Sequence, residues 1–102
     1  MARVDAAPVC VITLTYVAPI DEVDRLLKPH VAWLEQGFAE GVMVLAGRQV
    51  PRVGGILICR GQKAEVEAYA ATDPFVAGGV ATASVVEMAA SMASEGLAAE
   101  LK

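Results

Sequence analysis

"VCVITLTYV", residues Val9 to Val17, is apolar or β-branched almost throughout and shows no alternation of wet and dry positions. Such a run reads as a strand buried on both faces, and so as one near the centre of a sheet. Pro19 ends it. Asp21 and Glu22 then set carboxylates in the first turn of a helix, where the dipole is positive. That helix runs to about Glu40, with Val23, Leu27, Val31, Leu34 and Phe38 in one stripe at about 100° per residue. Pro29 lies inside the span, where it must kink the helix or begin a second segment, because it has no donor for the preceding turn. Gly41 is the terminator.

Beyond the helix, "VMVLAG" (Val42 to Gly47) and "GGILICR" (Gly54 to Arg60) read as a second and third strand, with the turn formers of "RQVPRVGG" making them a hairpin. "QKAEVEAYAAT" (Gln62 to Thr72) is helical, with Val66, Tyr69 and Ala70 on one side and charges on the other. "VATASVVEM" (Val80 to Met88) is a fourth strand. The alanine-rich tail, residues 89–102, carries a final helix through Leu97 and Leu101. No repeat or linker interrupts the chain, so residues 1–102 read as a single domain.

Strand, helix, strand, strand, helix, strand is the split βαβ order of an α+β, ferredoxin-like domain. Right-handed crossovers place both helices on one face of an antiparallel four-stranded sheet, with the first and third strands central. The other face is left bare. Since the central strands carry apolar side chains in both directions, that face is expected to be buried by a second copy, giving a homodimer.

Bulk numbers narrow the function. The 102 residues are 56% hydrophobic with a formal charge of −4 and no basic cluster, which removes the electrostatic footprint of a nucleic-acid binder. Cys10 and Cys59 sit inside strand-like apolar runs and read as buried free thiols of a reducing compartment. "MARVDAAP" does not lead into a signal sequence, and no apolar run approaches the roughly 20 residues that span a bilayer. A soluble cytoplasmic protein is expected.

The strand directions gather three connections at one end of the sheet: the entry to the first helix with His30, the hairpin tip near Gly47 and Arg48, and the loop "TDPFVAGGV" with Asp73. His30 is the only histidine, and the helical wheel sets it beside Leu27 and Leu34 at the lip of the core. An imidazole there with a carboxylate in reach has the makings of a general base, because the acid fixes the tautomer and supports the imidazolium. The plainer reading is that the pair serves packing, with Asp73 before Pro74 acting as a turn starter and Phe75 as core. Gly78 and Gly79 either permit positive φ or let a ligand approach the backbone. Trp33, one turn beyond His30, shelters a pocket or covers core. Arg25 and Arg48 are candidates to pair with an anionic substrate, against the reading of solvated surface charge. One histidine and two strand-buried cysteines offer no metal spacing, and no phosphate loop, Cys-x-x-Cys or serine elbow is present, so neither a metal nor a cofactor is called for.

The segments "KPHVAWL", "GVMVLAG", "GGILI" and "TDPFVAGGV" together resemble the YciI-like, or YCII-related, family of small dimeric α/β-barrel proteins, over about residues 9–88, leaving 89–102 as a C-terminal extension. The resemblance implies a ferredoxin-like fold, a homodimer, and an active site at the histidine and aspartate, here His30 and Asp73. Two positions depart from the family pattern: Gly47-Arg48 stands in place of Gly-Pro after the second strand, and Leu27 where an arginine is common three residues before the histidine. Arg25 could substitute from the previous turn. The family is similar in fold to muconolactone isomerases and includes a dehydrochlorinase-type enzyme acting on a hydroxylated aromatic. The reading reached is a cofactor-free enzyme in which His30, oriented by Asp73, moves a proton on a small cyclic or aromatic substrate, with Arg48, Trp33, Phe75 and Arg25 as substrate-binding candidates. Its alternatives are a non-catalytic small-molecule-binding or accessory dimer, and a cofactor-independent monooxygenase.

Overall fold

The computed structural model describes residues 1–101; Lys102, the end of the C-terminal extension, lies outside the described residues. The expected strands and helices form in the expected order as β1 (Ala2–Tyr16), α1 (Ile20–Arg25), α2 (Leu27–Ala39), β2 (Met43–Arg48), β3 (Gly54–Arg60), α3 (Lys63–Ala70), α4 (Pro74–Ala77), β4 (Ala81–Ala93) and α5 (Glu95–Glu100). They build a four-stranded antiparallel sheet in the order β2-β3-β1-β4, so the two apolar runs are indeed central. Cys10 lies opposite Cys59 and Leu14 opposite Gly55 in the β1–β3 ladder.

Side-chain alternation sorts the sheet into two faces. Cys10, Ile12 and Leu14 of β1 point with Met43 of β2 and Leu57 and Cys59 of β3 toward the helices, where Val66 and Ala70 of α3 close over them. The opposite face holds Leu45, Ile56, Val86 and Met88, all exposed, with Leu45 and Val86 each at 64%. This face is less bare than the sequence suggests. At one end α5 folds back on it, and Ala98 packs with Val4, Val9 and Ala90 beside Ile58 and Leu101. Arg60 fastens α5 from β3 by donating to the backbone oxygen and the carboxylate of Glu100.

Three boundaries differ from the sequence reading. β1 starts at Ala2 instead of Val9, because the lengthened β4 supplies a ladder partner: Ala2 pairs with Ala93 and Arg3 with Met92, with a register shift between Arg3 and Ala7. Small residues without alternation give little strand signal, yet their backbone groups pair as well as any. Thr72 and Asp73 do not merely end a helix; Asp73 caps the extra turn α4. Lastly, the second helical segment expected at Pro29 does form, but it starts two residues earlier, at Leu27 after a break at Leu26, so Pro29 falls in the first turn of α2, where its missing N–H costs nothing.

That break resets the helical phase. The stripe of Leu27, Val31 and Phe38 expected in the core is 41–47% exposed, while His30 and Gly37 are the buried residues of α2. Gly37 lies against α3, since a Cβ there would collide with the Tyr69 hydroxyl. His30 thus occupies the buried face of its helix, deeper than the lip where the unbroken wheel sets it.

Candidate functional site

Three local choices of sequence bring the site together. The break at Leu26 turns His30 inward. The Asp-Pro step starts α4, with Pro74 at its first position and Asp73 at the N-cap, where Oδ1 accepts the Phe75 N–H at 3.0 Å. Gly79, at φ +76°, ends α4 and turns the chain into β4. The result aims the Asp73 carboxylate at α2: Oδ1 also lies 2.7 Å from His30 Nδ1.

Among the described residues, His30 and Asp73 are the only buried polar side chains, at 7% and 0% exposure. Burial of a polar group without a partner is costly, so their pairing across the core is what makes either tolerable there. A carboxylate can only accept, so Nδ1–H donates to it, and in the neutral imidazole this is the tautomer that carries the lone pair on Nε2. No protein group among the described residues hydrogen-bonds Nε2, and it is not among the buried unpartnered atoms, so it reaches solvent. Asp73 Oδ2 is buried with no hydrogen-bond partner among the described residues, so the acid is matched to this imidazole through one oxygen alone.

The imidazole belongs to a stack of rings. Phe75 lies face to face with it at 3.9 Å and 7°, and Tyr16 meets Phe75 edge-on at 5.9 Å. Trp33 is 6.1 Å from the imidazole and stacks on Tyr69 at 4.4 Å. The ring plane is thereby held by packing, as its azimuth is held by Asp73.

His30 opens into a cavity of about 410 Å³. Leu14, Leu27, Val31, Leu34 and Leu57 form its apolar walls, Phe75 lines it beside the imidazole, and Gly47, Gly54 and Gly55 contribute backbone without side chains. Arg48 and Arg52 bring the cations. An apolar cavity with a few converging polar groups is the usual form of a small-molecule site.

The residues singled out in the sequence are distributed as follows. His30, Asp73 and Phe75 come together, and Arg48 shares their cavity. Trp33 stands behind the imidazole and outside the lining, donating from Nε1 to Thr72 Oγ1 at 2.9 Å, which ties α2 to the residue before Asp73. Arg25 lies outside the cavity and pairs with Glu22 one turn earlier at 2.7 Å. Arg52 and Tyr16 were not singled out. Arg52 looked like turn punctuation between Pro51 and Val53, and only the hairpin's fold carries it to the cavity.

The two thiols take no part. Cys10 and Cys59 are free and fully buried outside the cavity, and burial, helped by the neighbouring Cys10, pushes the Cys59 thiol up to about 11. Among the described residues no cluster of His, Cys, Asp and Glu could hold a metal ion, and no helix is long and apolar enough to cross a membrane.

The family model of the YCII-related domain matches residues 9–89. Among curated proteins no match is found. Among solved structures, the chain is similar to 5-chloro-2-hydroxyhydroquinone dehydrochlorinase from Burkholderia phenoliruptrix AC1100, determined in complex with 2,5-dihydroxybenzoquinone. The TM-score is 0.61 at 21% identity, over 76% of this chain and 90% of that one. At that identity the likeness establishes a common fold.

Proposed function

The chain belongs to the YCII-related domain family, and from that premise we propose that it is a cofactor-free enzyme in which His30, oriented by Asp73, transfers a proton on a small cyclic or aromatic substrate. The observation that carries this reading is the isolation of the His30–Asp73 pair. Its two members are the only buried polar side chains among the described residues, they bond at 2.7 Å, and the imidazole lines a cavity while its second nitrogen has no protein partner among those residues. A pair kept for packing alone has no need of an open nitrogen.

In this mechanism Nε2 takes a proton from an O–H or acidic C–H of the substrate, and the Asp73 carboxylate opposes the positive charge that forms on the ring. The electron pair left behind passes into the conjugated system. In an isomerisation the imidazolium returns the proton at another carbon. In a dehydrochlorination that electron pair expels chloride, so proton and chloride leave together and no electron carrier is required. The solved neighbour is a dehydrochlorinase of a chlorinated hydroxyhydroquinone, which favours the second form. Phe75 and the leucine walls suit a flat apolar body, and Arg48 suits an anionic edge.

Arg25 and Trp33 have supporting roles in this reading, Trp33 by holding the loop before Asp73 and Arg25 only through a rearranged α1. The working unit is a single-domain homodimer paired through the part of the sheet face that α5 leaves uncovered, at Leu45, Ile56, Val86 and Met88. A reducing cytoplasm suits its free buried thiols.

The test is proton exchange and chloride release. A panel of hydroxylated and chlorinated aromatics is incubated in deuterated buffer with the protein, and followed by NMR and by a chloride electrode. Wild type exchanges or dechlorinates at least one member, and His30→Asn, which keeps a δ-nitrogen donor toward Asp73 but has no basic nitrogen, loses about 10²- to 10⁴-fold. Equal rates in the two proteins, or tight binding with no exchange across the panel, would remove the catalytic role and leave a binding module.

A further inference from the structure

The cavity contains a cation that no step above uses. Arg52 stands in the connection between β2 and β3, lines the cavity together with Arg48, and lies over the ring of Tyr16 at 5.8 Å. Its guanidinium donates to Asp24 Oδ1, on α1, at 2.8 Å. Tyr16 packs edge-on against Phe75, and Phe75 stacks on His30, so an aromatic wall runs from the guanidinium to the imidazole.

The pair that holds Arg52 is easily exchanged. Its side chains are 32% and 51% exposed, and an ion pair so open to water contributes little and is screened by salt. An arginine so loosely held is free to trade the Asp24 carboxylate for an anionic group inside the cavity, where water is excluded from one side of the new bond. The Tyr16 face supports the cation while it moves. Arg48 needs no trade, since none of the ion pairs among the described residues includes it. Arg25, outside the cavity and paired along its own helix, is not placed for the same exchange.

We propose that Arg52 is a specificity residue of this site, leaving Asp24 to bind an anionic substituent of a ring substrate, so that the site selects acidic phenols, enols and carboxylates over neutral rings of the same size. The proposal rests on the cavity being the substrate site and deepens that reading by fixing the charge of what enters.

The experiment measures binding, with 2,5-dihydroxybenzoquinone as the acidic ring and hydroquinone as the neutral one, by titration calorimetry on the full-length protein. Arg52→Gln weakens the dihydroxybenzoquinone by about tenfold or more and leaves hydroquinone within about twofold. Asp24→Asn tightens the dihydroxybenzoquinone by roughly two- to fivefold, because it removes the competitor. Circular dichroism and melting of both variants check that the fold is kept. Equal weakening of both rings by Arg52→Gln overturns the proposal, as does a loss of affinity in Asp24→Asn or the absence of millimolar binding by the unaltered protein. The outcome is separable from the proton-transfer reading: if His30→Asn and wild type are both without turnover, the affinity ratio between the two rings still stands or falls on Arg52.

Discussion

Cys10 and Leu14 stand on the same face of β1, four residues apart, yet the two ends of the core they mark are filled differently. Around Cys10 the space is shut: Cys59, Met43 and Val66 surround it at 0–2% exposure. Around Leu14 the facing residues are Gly54 and Gly55, with Gly47 across the hairpin, and α2 offers an imidazole where a leucine would serve packing better. The cavity is thus made by side-chain volume left out at one end of an otherwise close-packed layer, and the polar pair sits where that volume is missing. One end of the strand holds the molecule together and the other holds the chemistry.

The largest effects expected are those that separate the two ends. Ile12→Ala in the closed end costs about 2–5 kcal/mol in urea unfolding, since a sealed core cannot collapse around the hole. Leu14→Ala falls at the low end of that range or below it, because its side chain already borders a cavity. Equal losses at the two positions would mean that the cavity end is as tightly packed as the other. His30→Asn reverses the pattern, with turnover falling by about 10²- to 10⁴-fold and stability hardly moving.

Next in size is Asp73→Ala, which removes the cap of α4 and the partner of a buried imidazole at once. The cap contributes about 1 kcal/mol and the orphaned ring about 1–3 kcal/mol more. Asp73→Asn keeps an N-cap oxygen and so loses less in chemical denaturation, while the charge that opposes imidazolium is gone. Equal losses of stability in the asparagine and alanine variants would show that charge, not capping, fixes the loop.

Alkaline stability reports on the closed end. Burial pushes Cys59 up from 9.0 to about 11, with Cys10 adding to it; burial likewise pushes Tyr69 up from 10.0 to about 12, with Cys59, Glu40 and Asp73 adding smaller amounts. The folded chain therefore holds these protons more tightly than the unfolded one. Their stabilisation is complete below about pH 9 and is lost as pH rises through 11 to 12, at about 1.4 kcal/mol per unit of displacement, with Tyr69 contributing less because it is only half-buried. Urea midpoints between pH 8 and 11 should fall in wild type and fall less steeply in Cys59→Ala, where Tyr69 and Cys10 remain. A flat wild-type profile would place the Cys59 thiol in contact with water.

Much of this was legible in the sequence. The order of elements and the central place of Val9–Val17 followed from periodicity and turn chemistry, and the topology then carried His30 and Asp73 to one end without any knowledge of contacts. What could not be read depends on phase and on pairing. The wheel drawn through Leu26 placed Leu27, Val31 and Phe38 in the core, because one non-helical residue shifts everything after it. The N-terminal part of β1 and the last residues of β4 lack alternation, and each is a strand only because the other is there. Arg52 sits in a loop whose sequence shows turn formers, and its role emerges only once α1 supplies Asp24.

The smallest effect expected is at Gly47, where a methyl group tests whether the uncovered face of the sheet is where two copies meet. A Cβ on Gly47 would have nothing within 4 Å, whereas one on Gly54 would meet the Leu14 carbonyl oxygen at 1.7 Å. Gly54 is therefore required by the close approach of β1 and β3. Gly47 is not required by any contact within the chain, and Gly47→Ala should change unfolding free energy by no more than about 0.5 kcal/mol. Gly47 pairs with Ile56 on the face of the sheet away from the helices. If two copies pair through that face, Gly47→Ala changes the dimer dissociation constant in analytical ultracentrifugation more than it changes stability. A variant unchanged in both would move the pairing away from this part of the hairpin.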